Sequence, residues 1–246
     1  MHGIGGVPLV SMGGAVHGGY FAKVLATGPI AYWPLWEASG TTARCLVNPA
    51  QNGTYSSDVS TWPVGTGMGD GNTAPQLDGA NDSVNVLTAA LIAAFNGSEG
   101  TLFQWIKVAN AGVWTDVTRR DPFFVQVDGN NFCMMQKVSW ANNRLGWYYT
   151  AGAVAESVTT GGLFSTDWVP IALTWSKTAD EMKAYWAGAQ SGVTQTILGN
   201  WAGNVGAAVL GATSAAPVNP WQGGLAHCAV WSRALSLTEY QALSIV

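Results

Sequence analysis

Short apolar runs recur along the whole chain, and residues that break regular structure separate them. Eleven runs have the length and the β-branched and aromatic content of strands: 31–35, 83–87, 101–108, 123–127, 132–138, 145–150, 168–176, 181–187, 193–198, 207–211 and 225–231. Asp128-Gly129, Gly161-Gly162 and Ala187-Gly188 punctuate them as turns. Three segments read as short helices instead. One starts at Tyr20 and stops at Gly28-Pro29. One runs from Thr88, as N-cap, to a stop at Asn96-Gly97. The last follows Ser236, whose spacing to Glu239 fits a capping box that satisfies two orphan backbone donors. Many short strands and few helices predict a two-sheet antiparallel sandwich. No repeat of 20 to 50 residues is present.

The pattern changes sharply before Tyr20. Seven glycines alternate with Val7, Leu9, Val10, Met12 and Val16, and no charge precedes Lys23. Such a stretch cannot build a core of its own, and it is too apolar for a solvated tail. Residues 1–28 are therefore read as a Gly-rich arm with a short linker helix, and 29–246 as the folded domain. Val7, Leu9, Val10 and Met12 are the expected anchors of an arm that docks on a neighbouring subunit. About 20 extended residues reach roughly 60 Å, enough to cross to one. The competing expectation is an arm folded back as an edge strand of its own sheet.

Composition narrows the partners. Charged residues make up only 10% of the chain and the net charge is −4, against roughly 25% charged in ordinary soluble domains. A surface so weakly charged suits a chain held in an assembly, so a homo-oligomer or other assembly subunits are the expected partners. The basic residues are scattered and Arg119-Arg120 is the sole basic pair, which argues against nucleic acid. No window reaches the roughly 18 uninterrupted apolar residues of a membrane span. Residues 1–10 lack the basic start of a signal peptide, so synthesis inside the cell is the expectation. Cys45, Cys133 and Cys228 are odd in number and widely spaced, which predicts free thiols rather than a zinc site.

Candidate chemistry is sparse. A glycosidase needs two carboxylates placed on one face. None of Glu37, Glu99, Glu156, Glu181 and Glu239 has an Asp two positions later, and Asp180-Glu181 would point to opposite faces of a strand. No G-x-S-x-G elbow exists, and His2, His17 and His227 lie far apart. No catalytic residue is therefore assigned. Asp78, Asn81 and Asp82 are dense enough in oxygen to hold calcium, the one cofactor considered. The competing reading is a turn at Asp78-Gly79 in which Asp82 satisfies backbone donors. Thirteen tryptophans stand out. Trp33, Trp105, Trp175, Trp186 and Trp231 fall in strands and are assigned to the core. Trp62, Trp114, Trp140, Trp201 and Trp221 fall near Gly, Asn or Pro, and are the candidates for a glycan or partner contact.

Three stretches carry a family likeness. GGLAHCAVWSRALSLTE at 223–239 resembles the closing strand and helix of laminin-G-like jelly rolls in the concanavalin A-like lectin/glucanase superfamily. PIAYWPLWEASGTTA at 29–43, followed by NGTY at 52–55, resembles that family's opening strand and turn, and QLDGANDSVNV at 76–86 its D-G-x-x-D strand entry. The resemblance implies a jelly roll from about residue 29 to the C-terminus. It also implies a fold that mostly binds or scaffolds. With the missing acid pair, the low charge and the apolar arm, it leads to the expectation of a non-enzymatic structural or surface-display protein of a larger particle, a bacteriophage virion (capsid decoration, fibre or tail component), with glycan binding as an added capacity. The alternative is a carbohydrate-binding module of a bacterial extracellular or cell-surface protein.

Overall fold

Sixteen strands and four short α-helices make up the described residues, 19–246, of the computed structural model. The arm anchors Val7, Leu9, Val10 and Met12, with His2 and His17, lie outside them. In chain order the elements are α1 (Tyr20–Ala26), β1 (Ala31–Trp33), β2 (Thr42–Ala43), β3 (Gly53–Tyr55), β4 (Val64–Thr66), β5 (Thr73–Asp78), β6 (Val84–Asn85), α2 (Ala89–Ala94), β7 (Glu99–Val108), α3 (Gly112–Thr115), β8 (Arg120–Asp128), β9 (Asn131–Lys137), β10 (Leu145–Ala151), β11 (Val154–Thr160), β12 (Val169–Ser176), β13 (Glu181–Trp186), β14 (Ala189–Gln195), β15 (Ala207–Leu210), β16 (Gln222–Trp231) and α4 (Leu237–Leu243).

The strands form two antiparallel eight-stranded sheets. Sheet one has the order β14-β13-β12-β7-β16-β5-β4, with β1 also on β16, and sheet two the order β11-β10-β9-β8-β15-β6-β3-β2. The opening strand lies against the closing one, with Ala31 opposite Val230 and Trp33 opposite Cys228. This is the expected jelly-roll sandwich. The predicted capping box is formed at Ser236 and Glu239, and Thr88 caps α2.

Local chemistry sets the turns. Two-residue hairpin loops favour positive φ at both positions, which matches the right-handed twist of the strands they join. Gly152 and Ala153 supply it between β10 and β11, and Ala187 and Gly188 between β13 and β14. The strands missed in the sequence have a common cause. β11 and β14 are edge strands whose side chains are mostly exposed or half-buried, so no apolar alternation marks them. The run read at 193–198 is instead the end of β14, which occupies Ala189–Gln195, and the loop after it. β2, β3 and β4 have only two or three residues each, and β5 carries Pro75, which argues against a strand when read locally.

The inner faces of both sheets build one core around Trp33, Trp147, Trp175, Leu102, Ile106, Phe123, Met135 and Tyr149. Cys45, Cys133 and Cys228 are free and buried, as expected. A second cluster covers the outer face of sheet one. Tyr20 and Val24 of α1 and Tyr240 and Leu243 of α4 pack there on Phe103, Trp105, Tyr185 and Trp231. Tyr20 donates to the Leu243 carbonyl at 2.5 Å, which joins the two helices. Sheet one is thus closed on both faces, whereas among the described residues no helix packs on the outer face of sheet two.

Beneath α1 sits His227. A bulge in β16 between Ala226 and Ala229 turns it out of the ladder, at φ 51°. Its Nδ1 meets the Tyr32 hydroxyl at 2.5 Å and its Nε2 the Asp70 carboxylate at 3.0 Å. Burial holds the imidazole below its ordinary value of 6.5, and Asp70 only partly opposes this. Burial would raise the Asp70 carboxyl, but hydrogen bonds from His227 and Asn72 outweigh it and hold Asp70 at about 2. Both shifts have the same sign in pH. The unfolded chain takes a proton at His227 near 6.5 that the native state resists, so stability falls as pH drops below that value. Asp70 stabilises fully above its ordinary 3.8, and that contribution is lost as pH falls toward about 2. The melting temperature is expected to be flat above neutrality and to decline on acidification. Replacing His227 with Gln should flatten the upper part of the decline, and identical profiles for the two proteins would contradict the assignment.

Candidate functional site

Cross-strand register assembles the outer face of sheet two. Ser157, Tyr148, Met134, Phe124, Val209 and Asn85 stand directly opposite one another on β11, β10, β9, β8, β15 and β6. One step along the strands, Thr150, Phe132, Gln126 and Ala207 form a second row. Their neighbours in sequence, such as Phe123, Val125, Cys133, Met135, Trp147 and Tyr149, face the core. Period two therefore puts a second, outward set of apolar and aromatic side chains on the same strands.

A recess of about 280 Å³ opens on this face, lined by Arg119, Phe124, Gln126, Phe132, Met134 and Thr213. It is small beside the roughly 300–1,000 Å³ of most small-molecule clefts. Its polar wall comes from a bulge in β8 between Arg120 and Phe123. Asp121 in that bulge is fully buried, and Arg119 grips it with Nε at 3.0 and 3.1 Å and Nη2 at 2.7 Å. Burial raises the Asp121 carboxyl, and Arg119 is the main opposing influence. Thr213 Oγ1 has the Val218 carbonyl at 2.8 Å and the same carboxylate at 3.1 Å as acceptors for its one proton, and it receives the Asn219 amide at 2.8 Å. Arg119 Nη2 also lies 3.5 Å from Met134 Sδ, so the guanidinium is laid over the apolar floor.

The segment leading to Arg119 is held from below. Lys137 at the end of β9 is completely buried, and its ammonium donates to the Asp116 carbonyl, to Asp116 Oδ1 at 2.6 Å and to the Thr118 carbonyl at 3.0 Å. Three N–H donors meet three acceptors, which is what allows a lysine to be buried charged. Arg120 adds a second cation on Asp116, at 2.8 Å, and reaches Gln222 Oε1 at 3.0 Å. These cations hold the Asp116 carboxyl below its ordinary range against the effect of burial.

Three loops, one of them leading to Arg119, are tied to one another. Asn143 N donates to the Trp114 carbonyl at 2.7 Å, Leu163 N to the Asn143 carbonyl at 3.1 Å and Trp114 Nε1 to the Ser165 carbonyl at 2.8 Å. Each loop exposes one large apolar side chain, Val117, Trp140 and Phe164, at 70%, 65% and 66%. Burial raises the Tyr148 hydroxyl's pKa, while contacts with Trp140 and Thr159 lower it, which places Trp140 beside the aromatic row. Arg144 lies over the Trp140 ring at 5.8 Å.

The tryptophan candidates divide. Trp140 is at the rim of this site. Trp201 is half-buried and stacks on Tyr149 at 6.0 Å and 23°, on the core side of the sheet. Trp62, Trp114 and Trp221 are corrections, for they are 5%, 2% and 0% exposed. Gly, Pro and Asn around them bring the backbone to the surface, but each ring turns inward and its Nε1 finds a partner, Ser57 Oγ, the Ser165 carbonyl and the Lys107 carbonyl respectively. Trp33, Trp105, Trp175 and Trp231 are buried as expected, while Trp186 is half-buried against the core. Arg119, Asp121, Phe124, Gln126, Phe132, Met134, Tyr148 and Thr213 were not singled out in the sequence. The usable signal was that Phe123-Phe124-Val125 and Phe132-Cys133-Met134-Met135 are apolar at both parities, although β8 and β9 belong to a sheet that is open on one side.

Asp78, Asn81 and Asp82 do meet, in a turn. Asp78 Oδ1 accepts from Ala80 N at 2.7 Å and Asn81 N at 3.2 Å, and Asp82 Oδ2 accepts from Asp78 N at 2.9 Å. Burial raises the Asp82 carboxyl, and the hydrogen bond from Asp78 N opposes it in part. Among the described residues no three His, Cys, Asp or Glu side chains are gathered as a metal site, and no helix is long and apolar enough to cross a membrane.

Comparison with known proteins gives the lineage. Solved structures with the same fold include domain 4 of AbnA, an extracellular arabinanase of Geobacillus stearothermophilus in complex with arabinotriose, at 14% identity and a TM-score of 0.62 over 88% of this chain and 98% of that one. A sialidase module, CBM40 of Ruminococcus gnavus bound to α2,3 sialyllactose, matches at 13% identity and a TM-score of 0.56 over 70% of this chain and 96% of that one. The botulinum neurotoxin serotype D binding domain matches at 12% identity and a TM-score of 0.60 over 88% of this chain, which spans 51% of the toxin domain's length. No curated protein matches by sequence. Residues 78–239 match the Laminin_G_3 family. With most of the sandwich inside that match, the chain belongs to this laminin G family of the concanavalin A-like lectin/glucanases superfamily.

Proposed function

We propose that this chain is a non-catalytic glycan-binding domain whose recognition surface is the outer face of sheet two. The observation that carries the reading is the recess over Phe124, Phe132 and Met134 with Arg119, Gln126 and Thr213 converging on it. Apolar floors with a few fixed polar groups are how sugars are held, since the C–H face of a ring packs on aromatics while its hydroxyls need donors and acceptors. Two neighbours of like fold were solved with oligosaccharides bound, which supports the same class of ligand here. Hydrolysis needs two free carboxylates flanking the bond. No carboxylate lines this recess, and Asp121 behind it is fixed by Arg119 and Thr213.

Calorimetry against an oligosaccharide panel that includes arabinotriose and α2,3-sialyllactose tests the reading. Tyr148→Ala and Phe132→Ala should each weaken the best ligand about tenfold, the equivalent of roughly 1.4 kcal/mol, with little change in melting temperature. Full affinity in both variants would remove the site from this face.

A place on the surface of a virion or similar particle is the setting we propose as a second reading. Val193 on edge strand β14 and Ile197 just beyond it are 74% and 75% exposed, which favours a neighbour along that edge. Light scattering that returns a monomer at high concentration would count against this setting and leave the glycan reading intact.

A further inference from the structure

The charge arrangement around the recess goes further than its shape. The side chain of Arg119 is 33% exposed, whereas its partner Asp121 is 0% exposed. A ligand in the recess therefore meets the guanidinium, with the carboxylate hidden behind it. Two edges of that guanidinium are taken. Nε and Nη2 bind Asp121, and Nη2 also contacts Met134 Sδ. The hydrogen bonds of the Arg119 side chain among the described residues use Nε and Nη2, which leaves the two N–H groups of Nη1 for a ligand.

The surroundings do not cancel this charge. Lys137 and Arg120, two buried cations, share Asp116 between them, so the supporting segment carries one positive charge in excess. Arg144 is exposed at the rim beside Trp140. Of the carboxylates nearby, Asp121 is enclosed, Asp116 is bound by two cations, and Asp167 lies in the loop of Ser165, whose hydroxyl it faces at 3.5 Å. In a chain with 10 Lys and Arg against 14 Asp and Glu, Arg119 at the recess and Arg120 and Lys137 beneath it gather around one segment.

We infer that the glycan taken by this face carries a carboxylate, and that Arg119 Nη1 is the group that reads it. The inference rests on the proposed glycan-binding reading and names its ligand class. Guanidinium donors form short, charge-assisted hydrogen bonds with carboxylate oxygens, stronger than those with neutral hydroxyls. A sugar acid would place its ring over Phe124 and Phe132 and its carboxylate against Arg119, with Gln126 left for ring hydroxyls.

Matched pairs test it, namely glucuronate against glucose, galacturonate against galactose, and N-acetylneuraminate with its methyl ester. Calorimetry on the full chain should show at least one acid binding about tenfold or more tightly than its uncharged partner, with that preference shrinking as sodium chloride is raised from low to roughly physiological ionic strength and beyond. In Arg119→Gln the acid should fall to the affinity of its partner. The double variant Arg119→Gln with Asp121→Asn removes both charges of the pair, so it should show the same loss even where the single variant is destabilised. Glucose 6-sulfate separates a carboxylate reader from a general anion site, and tighter binding of the sulfate than of glucuronate would overturn the carboxylate assignment. Equal affinities within every pair would overturn the inference and leave glycan binding standing. Binding of no saccharide at all would take down both.

Discussion

Trp175→Ala is expected to lower the unfolding free energy by about 3–5 kcal/mol, the range for removing a large aromatic from a packed core. The ring is fully buried, its Nε1 donates to the Gly97 carbonyl at 2.9 Å, and it stacks on Tyr149 at 5.6 Å. Gly100 is shaped around it, since a Cβ there would meet the indole at 2.3 Å. Collapse into the space left behind is limited because Phe95 and Trp201 belong to the same aromatic stack. Trp140→Ala is the control, with a change within about 0.5 kcal/mol because its ring is at the surface. Urea unfolding of the two variants measures the difference. Equal costs would mean that the division between core and surface tryptophans is wrong.

Asp116→Ala should be nearly as damaging. It leaves Lys137, with no exposed side-chain surface, and Arg120, with 8%, without their shared carboxylate. Breaking a buried ion pair by deleting one partner costs about 3–5 kcal/mol, because a charge stays buried and uncompensated. Asp116 itself is 35% exposed, so entering water should hold the loss to the lower end of that range. The same deletion frees the segment that carries Arg119, so glycan affinity should fall together with stability. Asp116→Asn keeps acceptor oxygen for both cations and should lose less. If Asp116→Ala unfolds at the wild-type urea concentration, Lys137 is not anchoring this segment.

How much of this was legible in the sequence follows from which contacts are local. The capping box at Ser236, the N-cap at Thr88 and the turn at Ala187-Gly188 depend on neighbours within a few residues, and all three were readable. The central strands β7, β8, β9, β10, β12 and β16 were readable because burial makes their runs apolar. Edge strands such as β11 lack that mark. The recess was hidden for a different reason. It is made by register, which sets Tyr148, Met134 and Phe124 side by side from three strands, and by a bulge that turns Asp121 toward Arg119. Nothing in the spacing of those residues reveals either. Tryptophan in a Gly- or Pro-rich stretch misled in the opposite direction. A loop's backbone is exposed, but a ring as large as that of Trp114 or Trp221 gains more by folding under it.

The outer face of sheet two is the central claim, and amide chemical-shift mapping during titration with neutral and carboxylated oligosaccharides tests it most directly. The shifts should centre on Arg119, Phe124, Phe132, Met134, Tyr148 and Thr213, fade along β15 and β11, and leave Trp105 of sheet one and Tyr240 of the helix α4 that covers it unmoved. Shifts centred instead on the recess of Trp36, Glu37 and Arg44, or on the helix-covered face of sheet one, would contradict the account.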